Sequence, residues 1–261
     1  MPKTVRGTCR LCSSEGQLSF EHIPPQSAFN KSRVLSVSFE KALELGPDEP
    51  GRKDGRWQQR GSGMHSLCSQ CNNDTGAWYV PAYASFAHQG VQYLPPHAER
   101  TAEPLRCRFT DIDTHRTIKQ VLVLFASVAG PNFARAQNLA PYLLDEMSND
   151  WPHKLRVFAY LTRGPKCRSA GLAAKVDFTT GATCLVSEFS FPPFGFVLTV
   201  ESSAPSPGLT EVTGFAATPV GQSHSFVLEA NLLPTHLMYP GDYRTQAEIR
   251  RQANAQEPGH S

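Results

Sequence analysis

Two cysteine pairs constrain this chain more than any other feature. Cys9 and Cys12 stand two residues apart near the N-terminus, and Cys68 and Cys71 repeat the spacing more than fifty residues later. A C-x-x-C turn can place two thiolates on one ion, and four sulfurs in a tetrahedron suit Zn²⁺. Such a shell is closed and leaves no position for substrate, so the expected zinc is structural. It would tie the N-terminal strand region to a distant segment and help a small, loop-rich lobe to fold. The other reading of the same residues is two unrelated buried or redox pairs. The start of the chain, MPKTVRGTCR, has no apolar core of a signal peptide, and seven cysteines are an odd number for a disulfide framework. A reducing, cytoplasmic setting with thiols or metal ligands is therefore expected. Cys107, Cys167 and Cys184 have no partner at ligand spacing and are expected in the core.

The 261 residues suit one large domain or two small ones, and 40% hydrophobic residues are enough for a core. A net charge of +2 names no partner by itself, because a basic patch would have to be local. No run approaches the roughly 18 apolar residues of a membrane span, so no membrane partner is expected. The tract 46–63, GPDEPGRKDGRWQQRGSG, reads as an exposed loop, and 91–104 as a hinge. A buried helix is expected from about Ile118 to Val128, stopped at Gly130-Pro131. A second is expected from Phe133 to Met147, bent or split by Pro141. Beyond Trp151, short β-branched and aromatic stretches separated by Gly and Pro predict strands of a mainly antiparallel sheet: KLRVFAYLT, KVDFT, TCLVSEFSF, FGFVLTVES, VTGFA and SFVLEA. The expected organisation is a zinc-stapled lobe over 1–90, a linker and helical segment over 91–150, a β-rich substrate- or partner-recognition domain over 151–240, and a polar tail over 241–261.

Between the cysteine pairs, QLSFEH reads as a short strand ending in Glu21-His22, and Ile23-Pro24-Pro25 ends it, since proline cannot continue a ladder. The second knuckle reads HSLCSQCNNDTGAWYVPAY. A helix opening there would carry Asn72 near its start with Tyr79 along the same face, until Pro81 limits or kinks it. A four-sulfur site would then hold the strand end beside the helix start, so that a carboxylate, an imidazole and an amide carbonyl converge. Oxygen ligands with open positions suit Mg²⁺ or Mn²⁺. An imidazole with an ordinary pKa near 6.5 is mostly neutral at pH 7 and can take a proton from water.

The pattern C-x-x-C, strand, Glu21-His22-Ile23-x-Pro25, then C-x-x-C-N opening a helix resembles the zinc-stapled HNH endonucleases of the ββα-metal fold. The resemblance covers roughly residues 5–90. It implies an α+β protein whose N-terminal lobe hydrolyses phosphodiesters in DNA with one catalytic Mg²⁺ or Mn²⁺. In that likeness Glu21 and Asn72 are ligands of the catalytic metal, His22 is the general base, and Cys9, Cys12, Cys68 and Cys71 hold the structural zinc. The chain departs from the family in three ways. Glu21 stands where many members have aspartate, the stretch from Pro25 to Cys68 is longer than usual, and SGMHSLC lacks the family's middle asparagine. His65 is the nearest candidate for that orienting role, with Asn73 beside Asn72. The missing asparagine keeps a second class in view, an inactive zinc-dependent module that binds nucleic acid or protein.

Phosphate contact is expected from Lys31, Arg33, Lys41, Arg52, Lys53, Arg56 and Arg60, with Trp57 stacking on a base or ribose. Acidic residues are interleaved with them, so a plain solvated loop fits the same stretch. His97, His115, His153, His224 and His236 read as surface or satisfied core histidines.

Overall fold

The computed structural model describes residues 4–37, 55–164, 166–176, 181, 183–202 and 206–256. The fold is α+β, with antiparallel pairing throughout the named strands. Strands β1 (Arg6–Thr8), β2 (Glu15–His22) and β5 (Gly63–Cys68) form one sheet in the order β1-β2-β5, and β3 (Val34–Ser36) pairs with β4 (Arg56–Gln58) as a separate ribbon. Helix α1 (Ser69–Gly90) leaves β5 directly. Strand β6 (Leu105–Ile112) precedes α2 (Thr114–Val128) and the one-turn helices α3 (Phe133–Ala136) and α4 (Ala140–Leu143). Strands β7 (Leu155–Leu161), β8 (Arg168–Val176), β9 (Thr183–Phe191), β10 (Phe194–Val200) and β11 (Thr210–Glu211) make a five-stranded sheet ordered β11-β7-β10-β9-β8. Strand β12 (His224–Ala230) returns to pair with β6, and α5 (Gln246–Gln256) follows in the tail.

One core joins these parts. Tyr79, Tyr83, Phe86 and Ala87 form the buried stripe of α1, and Phe86 stacks on Phe194 of β10 with ring centroids 4.4 Å apart. Phe86 also meets Phe109 of β6, and Tyr83 meets Phe196 of β10. Helix α2 is enclosed, with fourteen of its fifteen residues buried. Asp113 caps it by accepting from the Arg116 N–H at 2.9 Å, and its other oxygen takes the Gly221 N–H at 2.8 Å. No helix among the described residues is long and apolar enough to cross a membrane.

Several local expectations shift. Pro81 does not end α1, which continues to Gly90. Pro81 and Ala77, whose carbonyl loses its helical donor, both lie on the exposed face, where water can serve that carbonyl. Helix α2 starts four residues before Ile118, at the Asp113 cap. The expected helix from Phe133 to Met147 is instead two single turns, parted near Asn138 in the left-handed region (φ 50°), with Pro141 in the first turn of α4. VTGFA is not a strand, because Phe215 N–H bonds the Val212 carbonyl at 3.0 Å and residues Thr213–Ala217 wind into a 3₁₀ turn. Lys175 and Val176 of KVDFT are the last residues of β8, and 177–179 lie outside the described residues. The expected linker and helical segment also contains β6, a strand completed only by its distant partner β12. Cys107 is buried as expected, but Cys167, just before β8, is exposed, and Cys184, at the start of β9, is half-buried.

Candidate metal centre and adjoining pocket

The four knuckle cysteines come together, with sulfur atoms within 4.8 Å of one another. Four sulfurs about 2.3 Å from a tetrahedral zinc stand about 3.8 Å from each other, and Cys12 Sγ lies 3.8 Å from Cys68 Sγ. The cluster can hold a metal such as zinc. The first knuckle is closed by bonds from Cys9 N–H to the Ser14 carbonyl and from Ser13 N–H to the Cys9 carbonyl, with Ser13 in the left-handed region (φ 62°). The second forms where β5 becomes α1: Cys68 is the N-cap, and its sulfur accepts from the Cys71 N–H at 3.5 Å. The hydrogen bond between Cys9 and Cys71 holds the Cys9 thiol well below its ordinary value and pushes Cys71 up.

β2 reaches the pocket because its register with β5 slips. Ser19 faces Leu67 while Phe20 faces His65, which leaves Ser66 as the extra residue of a bulge. The Ser66 hydroxyl donates to Glu21 Oε2 at 3.1 Å, and Ser127 of α2 donates to the same oxygen. Arg10 of the first knuckle reaches the Ser127 carbonyl and lies near Glu21. Burial pushes the Glu21 carboxyl up to about 7, against the two hydroxyl bonds and the Arg10 charge, which pull it down. At the end of β2, Gly63 faces His22. A Cβ there would lie 2.1 Å from the Glu21 carbonyl, so only glycine fits.

His22 is half-buried and its Nε2 lies 3.0 Å from the Gln26 amide nitrogen. That amide also donates to the Arg60 carbonyl at 3.2 Å. Burial lowers the His22 pKa below its ordinary value, against a bond to the Arg60 backbone that raises it. The ring is thus neutral at pH 7 and able to accept a proton. Asn72 sits in the first turns of α1, where its amide nitrogen donates to the Ser19 hydroxyl at 3.1 Å and to the Phe20 carbonyl at 3.4 Å. With the nitrogen committed to β2, the amide oxygen remains for the pocket.

Glu21, His22 and Asn72 all line one cavity of about 270 Å³. On α1 the lining stripe is Asn72, Thr75, Gly76 and Val80. Tyr79 lies off that stripe, buried, with its hydroxyl on the Leu143 carbonyl at 3.0 Å. Two more amide side chains line the cavity without any cue from motif spacing: Gln26 from the loop after β2, and Gln120 from α2. The one trace of Gln120 in the sequence is a lone amide inside the apolar run IKQVLVLF. Carboxylate and amide oxygens are the hard donors that suit Mg²⁺ or Mn²⁺, so Glu21 and Asn72 fit such an ion chemically.

Of the other expected residues, His65 is exposed and lies edge-on to Phe20 at 5.3 Å, and Asn73 is exposed on α1. The loop after β2 is pinned instead by Asn30, which spacing gave no reason to single out. Asn30 is fully buried; its amide donates to the Pro24 and Ser62 carbonyls at 2.6 and 2.8 Å, and its oxygen accepts from Ser62 N–H at 2.7 Å. Lys31, Arg33, Arg56, Trp57 and Arg60 are exposed, and the Arg33 guanidinium sits 4.8 Å over the Trp57 ring. Lys41, Arg52 and Lys53 lie outside the described residues. No family model, curated protein or solved structure matches this chain.

Proposed function

We propose that the cavity beside the cysteine cluster is the site of a metal-dependent endonuclease that hydrolyses DNA phosphodiesters in the manner of HNH enzymes. The observation that carries this reading is the meeting of Glu21, His22 and Asn72 around one cavity, next to four cysteines able to clamp β2 against the start of α1. In this reading the cysteine cluster holds a structural zinc, and the family resemblance belongs to the segment from β1 to α1. A Mg²⁺ or Mn²⁺ ion, when bound, supplies Lewis-acid stabilisation of charge on the phosphate and the leaving 3′ oxygen. His22, kept neutral by burial, takes the proton of the attacking water. The Gln26 amide nitrogen lies 3.0 Å from Nε2 and also donates to the Arg60 carbonyl; it releases Nε2 when that nitrogen takes the water's proton. Asn72 offers its oxygen to the ion, and Glu21 offers Oε1, since both serine hydroxyls bond Oε2.

The substrate-facing surface is the β3–β4 ribbon: Arg56 faces Ser36 at one end, Trp57 faces Leu35 in the middle, and Arg33 lies beyond the Val34–Gln58 pair at the other end, toward Lys31 and Arg60. Guanidinium and ammonium groups neutralise phosphates, and an exposed indole offers a stacking face. One feature favours a second reading, a module that binds nucleic acid or protein without cutting: Glu21 is already served by two hydroxyls and is easily protonated. Incubation of plasmid with the purified, zinc-loaded chain and Mg²⁺ or Mn²⁺ separates the two. Cutting by the native chain and not by His22→Ala supports the nuclease; binding by both with no cutting supports the module.

A further inference from the structure

Helix α2 is buried almost all round, and its buried polar side chains are provided for. Thr114 donates to the Phe215 carbonyl, His115 bonds the Thr218 carbonyl and the Tyr142 hydroxyl, Thr117 donates to Asp113, and Lys119 donates to the carbonyls of Asp145 and Glu146. Ser127 donates to Glu21. Gln120 is the exception. Its side chain is 3% exposed, its Oε1 is buried without a hydrogen-bond partner among the described residues, and it lines the same cavity as Glu21, His22 and Asn72. A buried acceptor left unsatisfied costs about 1–3 kcal/mol. A proton donor or a cation that fills the cavity would remove that cost.

We propose that Gln120 Oε1 is a ligand of the divalent cation, a neutral oxygen that α2 supplies from outside the strand–strand–helix unit carrying the cysteines. This rests on the nuclease reading for the identity of the cavity. The chemistry favours a cation over a structural hydrogen bond. The three oxygens available across the cavity are then one carboxylate and two amides, a hard-donor set with low charge. Such a set binds its ion with modest affinity, so loss of one oxygen is felt strongly. It also makes the cavity incomplete without α2, which is fixed in the core by contacts to the rest of the chain.

The test is Mn²⁺ binding to the zinc-loaded full chain without DNA, read by the electron paramagnetic resonance signal of free Mn²⁺. Gln120→Met keeps the length of the side chain and removes the oxygen, while Gln120→Glu makes the oxygen anionic. The native chain is expected to bind one Mn²⁺, Gln120→Met about tenfold or more weakly, and Gln120→Glu at least as tightly as the native chain. Equal affinity in native and Gln120→Met chains overturns the proposal and assigns the orphan oxygen to a buried water. Should Gln120→Met lose its zinc or its cooperative unfolding, Gln120→Glu decides: affinity raised or kept supports the ligand, affinity lowered overturns it. Plasmid cleavage by the same samples separates this proposal from the reading beneath it. Native cleavage with unchanged Mn²⁺ affinity in Gln120→Met sinks only the ligand. Loss of Mn²⁺ binding in Gln120→Met without cleavage by any sample sinks only the nuclease. A native chain that binds no Mn²⁺ sinks both.

Discussion

The Asn72 amide on α1 donates to the Ser19 hydroxyl on β2 at 3.1 Å, joining residues 53 positions apart. This bond commits the amide nitrogen to the strand, on a residue that also lines the cavity. It also explains why the cysteine cluster and the cavity are neighbours, since Cys71 and Asn72 are consecutive on one helical turn.

Asn72→Ala removes both the anchor and the oxygen. Stability is expected to fall by about 1 kcal/mol, with a larger loss of Mn²⁺ affinity and of cleavage. Asn72→Asp keeps an oxygen and abolishes the donor to Ser19, so it should retain more Mn²⁺ affinity than the alanine variant. Chemical denaturation and metal titration of the two variants check this.

The cysteine cluster should carry one zinc per chain, measured by elemental analysis. Cys12→Ser or Cys68→Ser is expected to lower the zinc content and to drop the unfolding temperature, and a strong chelator should do the same to the native chain. Zinc below about half an equivalent per chain would count against a four-thiolate site.

Glu21 makes stability depend on pH. Its folded pKa, about 7, is above its ordinary value of 4.5, so the folded chain holds this proton longer than the unfolded one. The corresponding contribution is fully present below pH 4.5 and is lost as pH rises through 7. Glu21→Gln removes that loss. The variant is expected to be more stable than the native chain at pH 8, by on the order of 1–3 kcal/mol, with the gap closing toward pH 5. Urea unfolding without added divalent cation at both pH values measures it, and a gap that does not change between them would contradict the account.

Asn30 holds the loop after β2 with three bonds from a fully buried side chain. Gly61, in the left-handed region at φ +95°, packs against it so closely that a Cβ would lie 2.2 Å from the Asn30 carbonyl. Asn30→Ala strands buried carbonyls and is expected to cost about 1–3 kcal/mol. Because the loop carries Gln26, the His22 ring should lose its fixed orientation as well, visible as exchange broadening of its imidazole resonances.

What the sequence made legible was what spacing encodes. Two C-x-x-C pairs predict a four-sulfur cluster, and the sulfurs meet. β9 was readable to the residue because TCLVSEFSF is bounded by turns and rich in β-formers. The polar residues that shape the cavity wall were not legible. Asn30, Ser66 and Ser127 act through partners up to 106 positions away, Gln120 through its burial beside the cavity, and a lone amide or hydroxyl in an apolar context has no period to betray it. The bulge that turns Ser66 toward Glu21 is likewise a property of the β2–β5 pairing rather than of either strand. His65 shows the converse: its nearness to the second knuckle suggested a role inside, but the pleat turns it to solvent.

The most direct test of the central claim is cleavage of supercoiled plasmid by the zinc-loaded chain with Mg²⁺ or Mn²⁺, compared with a folded His22→Ala variant. Native cleavage, with the variant slower by roughly 10²–10⁴-fold at equal zinc content and unfolding temperature, is the predicted result. No cleavage by the native chain, or equal cleavage by His22→Ala, would contradict the account.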